Sequence, residues 1–226
     1  QIFENIGVVS RKGECFMYLA LKEIRHEKLR YGLIIAMVTL IAYLIFILTS
    51  LAFGLAGENT QAINSWDAKS VVLNKDSNIN LSQSTITNVQ AKNVKLTSKE
   101  SLIGSTPVVA KYKGKEKISG QFVGIKNSQF IYKELKVSSG HKAHGNHQIV
   151  VDEKFKDDGY QLGDKLTLNS FDDKYEIVGF TKNAKLNISP VIYGSLPTWK
   201  YLRGMNNVPV AGSAIVSRNA EYNAHN

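Results

Sequence analysis

The chain has 226 residues and a formal net charge of +9, with 28 Lys and Arg against 19 Asp and Glu. Its single cysteine, Cys15, excludes an internal disulfide and a thiolate metal cluster. The downstream lysines are scattered among acidic residues rather than gathered in a stripe, so we expect no nucleic-acid binding. Attraction to anionic lipid or to cell-wall polymer is the expected consequence of this charge.

The first residues of the chain are predicted to lie outside the folded protein. Codons for Lys12-Gly13-Glu14 can spell a purine-rich ribosome-binding site just before Met17, so we expect residues 1–16 to be a translated leader. Residues 17–30 place Met17 and other apolar side chains on one helical face, with most basic ones opposite. They predict an amphipathic helix on the cytoplasmic leaflet; alternatively, this helix simply extends the span that follows.

Residues 31–57, YGLIIAMVTLIAYLIFILTSLAFGLAG, contain no charged side chain. An uncharged apolar helix of this length crosses the roughly 30 Å hydrocarbon core of a bilayer. Basic residues crowd its N-terminal side, whereas the first charges after it are Glu58 and Asp67. The sequence therefore predicts one transmembrane helix with its N-terminus in the cytoplasm and residues 58–226 outside. Because the external part follows the span directly, we expect the two to move together.

The part after residue 57 shows strand and turn signals rather than long helices. Val71–Leu73 predicts a first strand, and residues 81–86 predict a turn leading into a short helix. Residues 108–113 and 117–125 predict a β-hairpin after Pro107. Further strands, short helices and turns are predicted as follows: strands at 147–152, 166–168, 175–180, 190–193 and 213–217; helices at 153–160 and 197–203; turns at Gly163-Asp164 and Asp172-Asp173. This order predicts a membrane-anchored α+β protein with a mixed or mainly antiparallel sheet.

These segments, in this order, resemble the permease subunit of MacB/FtsX-type ABC transporters, in particular the hemin-transport (heme-efflux) branch. The N-terminal resemblance rests on LALKEIRHEKLRYGLIIAMVTLIAYLIFILTSLAFGLA at 19–56. The external resemblance rests on QIVVDEKFKDDGYQLGDKLTL at 148–168, YEIVGFT at 175–181 and PVIYGSLPTWKYL at 190–202. The resemblance implies an extracytoplasmic MacB-like core domain over 58–226, with mixed sheet and short helices.

The resemblance also implies a function and partners. Such permeases dimerise and work with a separate cytoplasmic ABC ATPase, which moves the membrane helices and, through them, the external domains. The expected substrate is heme; a lipid, a lipoprotein or an antimicrobial peptide is the nearest alternative. Members of the family continue into three more membrane helices that are missing here, so we expect this chain to be an N-terminal fragment.

Two other classes of function remain open. One is a membrane-anchored surface module for binding or signalling, and the other is a regulator of cell-wall hydrolases. An enzyme is not expected. No G-x-x-x-x-G-K-[ST] motif is present, so the sequence contains no P-loop site for ATP. The resemblance implies that a partner subunit uses the ATP, and no cofactor is expected in this chain. No serine lies in a nucleophile elbow that could act with Asp152, Asp172 or Asp173, so no catalytic residue is assigned.

His141, His144 and His147 form the one candidate site in the segment SSGHKAHGNHQ. Three imidazoles at this spacing could meet around Zn²⁺, or one could ligate heme iron. The segment is glycine-rich and predicts a loop, in which solvated histidines are the default, so no metal site is assigned. Tyr193, Trp199 and Tyr201 could line a pocket for a planar or lipidic ligand, but side chains of this size more often anchor a helix to its sheet.

Overall fold

The computed structural model of the protein describes residues 22, 27–59, 61–94, 96–186 and 188–219. It divides into two compact units, with the boundary between Gly54 and Leu55. The predicted leader, 1–16, and all of the predicted amphipathic helix except Lys22 and residues 27–30 lie outside the described residues.

One long helix, α1 (Lys28–Asn59), begins in the N-terminal unit and continues a few residues past its boundary. Over Lys28–Leu55 it is long and apolar enough to cross a membrane, with a mean hydropathy of 2.6 and none of that window buried by protein. Its large apolar side chains from Leu29 to Leu55 are exposed in the described part of the chain. The predicted helix is thus confirmed and is slightly longer at both ends than residues 31–57.

The second unit is a domain of short helices and strands. Its helices are α2 (Gln61–Ser65), a 3₁₀ turn (Lys75–Ser77), α3 (Asn88–Asn93), α4 (Phe130–Glu134), α5 (Lys154–Asp157) and α6 (Leu196–Leu202). Its strands are β1 (Ser70–Leu73), β2 (Ile86–Thr87), β3 (Glu100–Lys111), β4 (Ile118–Ile125), β5 (Val137–Gly140), β6 (Gln148–Asp152), β7 (Lys165–Leu168), β8 (Lys174–Thr181), β9 (Lys185–Leu186), β10 (Ser189–Ser195), β11 (Val210–Gly212) and β12 (Ala214–Ser217).

Six of these strands close into a ring. In order, β3, β4, β10, β6, β8 and β7 each pair with the next, and β7 pairs back with β3. The β4–β10 and β6–β8 pairs are parallel and the other pairs of the ring are antiparallel. Strands β12 and β1 extend the sheet from β3, β5 adds to β8 and β9 adds to β10, while β11 pairs with β2 separately. The predicted mixed α+β class is confirmed.

The ring has a core on each side of its strands. Because side chains alternate along a strand, neighbours belong to different clusters. Phe122, Ile149 and Ile192 belong to an inner cluster that draws on all six ring strands. The residues that directly follow them, Val123, Val150 and Tyr193, belong to an outer cluster that includes side chains of α2 and α4. Strands β4, β6 and β10 are therefore buried on both faces, as their uninterrupted apolar runs suggest.

Helix α6 packs on β3 and β4 through Trp199, whose side chain is fully buried. Its indole Nε1 donates to the carbonyl oxygen of Ser105, 3.1 Å away. Gly104 and Gly124 face each other across the β3–β4 pair, and a Cβ on either would come within 2.6 Å of Trp199 side-chain atoms. Only glycine leaves room for the indole here. Trp199 and Tyr193 are thus core anchors, whereas Tyr201 is partly exposed.

Most predicted strands are confirmed within a few residues, but β3 is longer than the sequence suggests. The predicted strand begins after Pro107, at residue 108, whereas β3 begins at Glu100 and continues through Pro107. A proline fits here because, on the edge of β3 away from β4, the strand pairs with β12 only over residues 100–103 and with β7 only over 110–111. Pro107 therefore has no neighbouring strand on that edge to which a backbone N–H would have to donate. The helix predicted at 153–160 is shorter, since α5 covers only Lys154–Asp157.

An ion pair fastens the β3–β4 turn to the turn before β7. The ammonium of Lys115 lies 2.6 Å from the Asp164 carboxylate and 5.0 Å from the ring centres of both Tyr112 and Tyr160. Burial alone would raise the pKa of Asp164, but the hydrogen bonds from Lys115 and from the Gln161 amide outweigh it and lower that pKa.

We expect Lys115→Met to lower the free energy of unfolding by about 1.5–3 kcal/mol at pH 7, the usual cost of losing a hydrogen bond to a charged group. A carboxyl with a lowered folded-state pKa stabilises the protein above its unfolded-state pKa, and this stabilisation is lost as the pH falls through the folded-state value. The difference between parent and variant should therefore shrink below about pH 4. Urea unfolding at several pH values measures it. Lys154→Met, which removes the more exposed pair with Asp158, is the matched control and should change little.

Candidate functional site

The structure brings together two of the three candidate histidines. The rings of His141 and His144 are nearly parallel, with an angle of 21° between their planes and 6.4 Å between their centroids. His147 lies apart from them and stacks on Tyr175, with ring centroids 5.7 Å apart. All three side chains are exposed. The fold therefore does not bring all three imidazoles into a single site.

The loop that carries His141 and His144 is held by a network of hydrogen bonds. His141 continues the β5–β8 pairing, its amide donating to the carbonyl oxygen of Val178 at 2.8 Å. The side-chain oxygen of Gln148 accepts from the amides of His144 and Gly145. Asn127 Nδ2 donates to the carbonyl oxygen of His144. These bonds give the backbone of the loop a defined conformation, while the histidine side chains themselves are exposed.

Helix α4 supports the same loop from the side. The ammonium of Lys142 donates to the carbonyl oxygens of Tyr132 and Lys133, at 3.0 and 2.7 Å, in the last turn of α4. A basic side chain at this end of a helix satisfies carbonyl groups that lack partners within the helix. The hydroxyl of Tyr132 lies 2.9 Å from Nδ1 of His144. The sequence offered no signal for Tyr132 or Lys142, because their link to the histidines depends on where α4 packs.

His147 instead lines a separate cavity of about 320 Å³. Tyr175, which is buried, and Tyr201, which is partly exposed, also line it, together with Asn146, Asp173, Pro197, Thr198 and Asn206. Burial raises the pKa of Tyr175 to about 12. A hydrogen bond with the Asp173 carboxylate raises the pKa of Tyr201. Both hydroxyls therefore stay protonated near neutral pH, and the cavity has polar and aromatic walls.

The acidic residues considered from the sequence have structural surroundings. Asp152 is buried and its carboxylate accepts from the amides of Lys154 and Ala184, at 2.9 and 3.1 Å. Its burial raises its pKa in spite of these bonds. Asp172 is exposed, and Asp173 lies beside Tyr201. Among the described residues, no group of three or more His, Cys, Asp or Glu side chains is placed to hold a metal ion.

The segment after α1 is built into the outer core of the domain. Ala62 of α2 and Trp66 are buried, and α2 packs on β9. The indole Nε1 of Trp66 donates to the hydroxyl of Tyr193, 2.9 Å away, and the two rings meet edge to face at 6.4 Å. Tyr193 is in β10, at the centre of the sheet. No local pattern marks Trp66 as this anchor, because its partner Tyr193 lies 127 residues further along the chain.

Comparison by sequence finds relatives that are named as transport proteins. The chain is 28% identical over 176 residues to the hemin transport system permease protein HrtB of Staphylococcus epidermidis, with the same match in two strains. The match covers 78% of this chain and 49% of the relative, so the chain spans about half the length of the curated relatives it matches. This similarity confirms the resemblance to a hemin-transport permease. No protein-family model matches the chain.

Comparison by structure finds external domains of ABC transporters. The extracellular domain of the noncanonic ABC-type transporter YknZ from Gram-positive bacteria superposes with a TM-score of 0.47 and 14% identity, covering 61% of this chain and 75% of that one. The periplasmic region of MacB from Actinobacillus actinomycetemcomitans superposes with a TM-score of 0.49 and 16% identity, covering 71% and 80%.

We expect Tyr193→Phe to destabilise the domain by about 1–3 kcal/mol, because it leaves the buried Trp66 N–H without its acceptor. Combining it with Trp66→Phe should give less than the sum of the two single effects, since the second change removes the donor that the first one stranded. Urea unfolding of the four proteins measures the coupling. Tyr201→Phe, at a partly exposed tyrosine, is the control. Additive single effects would contradict the assigned hydrogen bond.

Proposed function

We propose that this chain supplies a membrane helix and the extracellular domain of an ABC transporter permease that exports heme. The observation that carries the proposal is the 28% identity with a hemin transport system permease over 78% of the chain. ATP would be hydrolysed by a separate cytoplasmic ATPase, and the chain itself would catalyse no reaction. The further partners are a second copy of the permease and membrane lipid.

The proposed orientation follows from the charges around α1. Lys22, Lys28 and Arg30 precede or begin the apolar segment, and no charged residue follows until Glu58. This asymmetry favours a cytoplasmic N-terminus, because translocation of basic residues is disfavoured. The domain after Leu55 would then lie outside the cell. In that position it can handle a substrate that leaves the membrane or its outer face.

The anchoring of α2 supports mechanical coupling. The chain leaves α1 at Asn59, and the next helix already contributes the buried Ala62, followed by the buried Trp66. A displacement of the chain at Gln61 would therefore pull on the outer core and, through Trp66 and Tyr193, on β10. Strand β10 pairs with β4 and β6, so the load would be shared by the ring.

The first prediction of this proposal concerns topology. In a Cys15→Ser background, we expect Asn207→Cys, at an exposed loop position of the domain, to react with a membrane-impermeant maleimide on intact cells. Glu27→Cys, just before α1 and equally exposed, is the matched control and should react only after the cells are permeabilised. The opposite pattern would place the domain in the cytoplasm and end the transport proposal.

The second prediction concerns the substrate. Deleting the gene in the organism that encodes this chain should make growth several-fold more sensitive to hemin and raise cell-associated heme, whereas sensitivity to a cationic antimicrobial peptide should not change. Restoring the gene should reverse both effects. Raised sensitivity to the peptide alone would instead favour the antimicrobial-peptide alternative. An unchanged response to both, with no ATPase co-purifying, would favour a membrane-anchored binding module.

A further inference from the structure

The cavity beside His147 has walls that the fold holds in place. Helix α6 forms one wall, and its Thr198 hydroxyl donates to the carbonyl oxygen of Asn146 at 2.7 Å, which ties the helix to the segment before β6. The start of β8 forms another wall, and there the amide of Glu176 donates to the carbonyl oxygen of His147 at 2.8 Å. Because the walls are bonded to neighbouring segments, little ordering is needed when a ligand enters.

Tyr175 brings an unpartnered hydroxyl group to this cavity. The residue is only 2% exposed, and it lines the cavity. Its hydroxyl forms no hydrogen bond within the described part of the chain, yet it is not one of the partnerless side-chain atoms that protein encloses completely. The small accessible part of Tyr175 therefore includes the hydroxyl, which faces the cavity. Buried tyrosine hydroxyls normally have a hydrogen-bond partner, and a ligand in the cavity would supply it.

The electrostatic potential in the cavity is negative. Asp173 lines the cavity, and no ion pair joins it to a described Lys or Arg. Besides burial, the charge of Asp173 raises the pKa of Tyr175. Besides its hydrogen bond with Asp173 and its burial, Tyr201 has its pKa raised by the charges of Asp173 and Asp172. Both hydroxyls therefore lie in the field of aspartate carboxylates.

This combination of groups matches an ammonium ion. An ammonium group has three N–H donors and no acceptor, so it requires acceptors such as the Asp173 carboxylate and the Tyr175 hydroxyl oxygen. Asn146 and Asn206, whose amide groups contain further acceptors, line the same cavity. Aromatic walls also favour a cation, because the ring faces carry negative potential. A volume of about 320 Å³ is near the lower end of the range for ligand pockets, about 300–1,000 Å³, so it suits a compact amine rather than a tetrapyrrole.

We propose that this cavity binds a small organic cation through a primary ammonium group, with Asp173 as the counter-charge and Tyr175 as a hydrogen-bond acceptor. Ring contacts hold both tyrosines. His147 stacks on Tyr175 with centroids 5.7 Å apart, and Phe171 packs on Tyr201 with centroids 5.0 Å apart. Such a site is independent of the transported substrate.

The test is a calorimetric titration of the full chain in phosphatidylcholine nanodiscs with aminobutanol, and with butanediol as the neutral probe of the same length. We expect aminobutanol to bind and butanediol not to bind, with empty nanodiscs as the baseline. Asp173→Asn keeps the size of the side chain but removes its charge. This variant and Tyr175→Phe should each weaken aminobutanol binding about tenfold or more, the usual effect of losing a hydrogen bond to a charged group.

Asp157→Asn is the matched control, because it removes an exposed carboxylate outside the cavity and should leave aminobutanol binding unchanged. Unfolding midpoints of all variants check that the domain stays folded. Equal affinity in the parent and in either cavity variant would overturn the proposal, as would the absence of aminobutanol binding to the parent. Equal binding of butanediol would overturn it too, since the cavity would then recognise hydroxyl groups rather than charge. An equal loss in Asp157→Asn would reduce the binding to general attraction by surface charge and so overturn the assigned site.

Discussion

The external domain depends on strands that are buried on both faces. In β4, β6 and β10, successive side chains enter two different clusters, one inside the strand ring and one outside it. Each fully buried large apolar side chain contributes about 1.5–3 kcal/mol, so both clusters are needed for the stability of a domain of this size. The outer cluster is completed by short helices, α2 and α4, and by β1 and β12. Two of these covering segments, α2 and α4, adjoin the features described above: the segment after α1 and the histidine loop.

The covering helices α2 and α4 connect the outer cluster to the segment after α1 and to the histidine loop. Helix α2 delivers Ala62 to the outer cluster and is followed by Trp66, which joins the same cluster. Helix α4 buries Phe130 and Ile131 in the same cluster and presents Tyr132 and the carbonyl groups of its last turn to the histidine loop.

The histidine loop shows how context changes the meaning of a motif. Three histidines at regular spacing in a glycine-rich segment are compatible with one site, with several or with none. The fold separates them. Strand β6 begins with Gln148, directly after His147, and His147 stacks on Tyr175. Tyr132 and Lys142 instead hold the rest of the loop near α4. The hydrogen bonds fix the backbone of the loop, whereas the three histidine side chains are exposed.

The sequence by itself determined the apolar helix, the order of most strands and the resemblance to permeases, because these depend on composition, local periodicity and short turns. It predicted β10 and α6 from Pro190–Tyr193 and Pro197–Arg203 nearly as the structure has them. Only the tertiary structure decided the ring closure through β7, the passage of β3 across Pro107, the Trp66–Tyr193 contact and the pairing of His141 with His144. Each of these joins or constrains residues through partners far away in the chain, and no local pattern encodes which distant partner a side chain will meet.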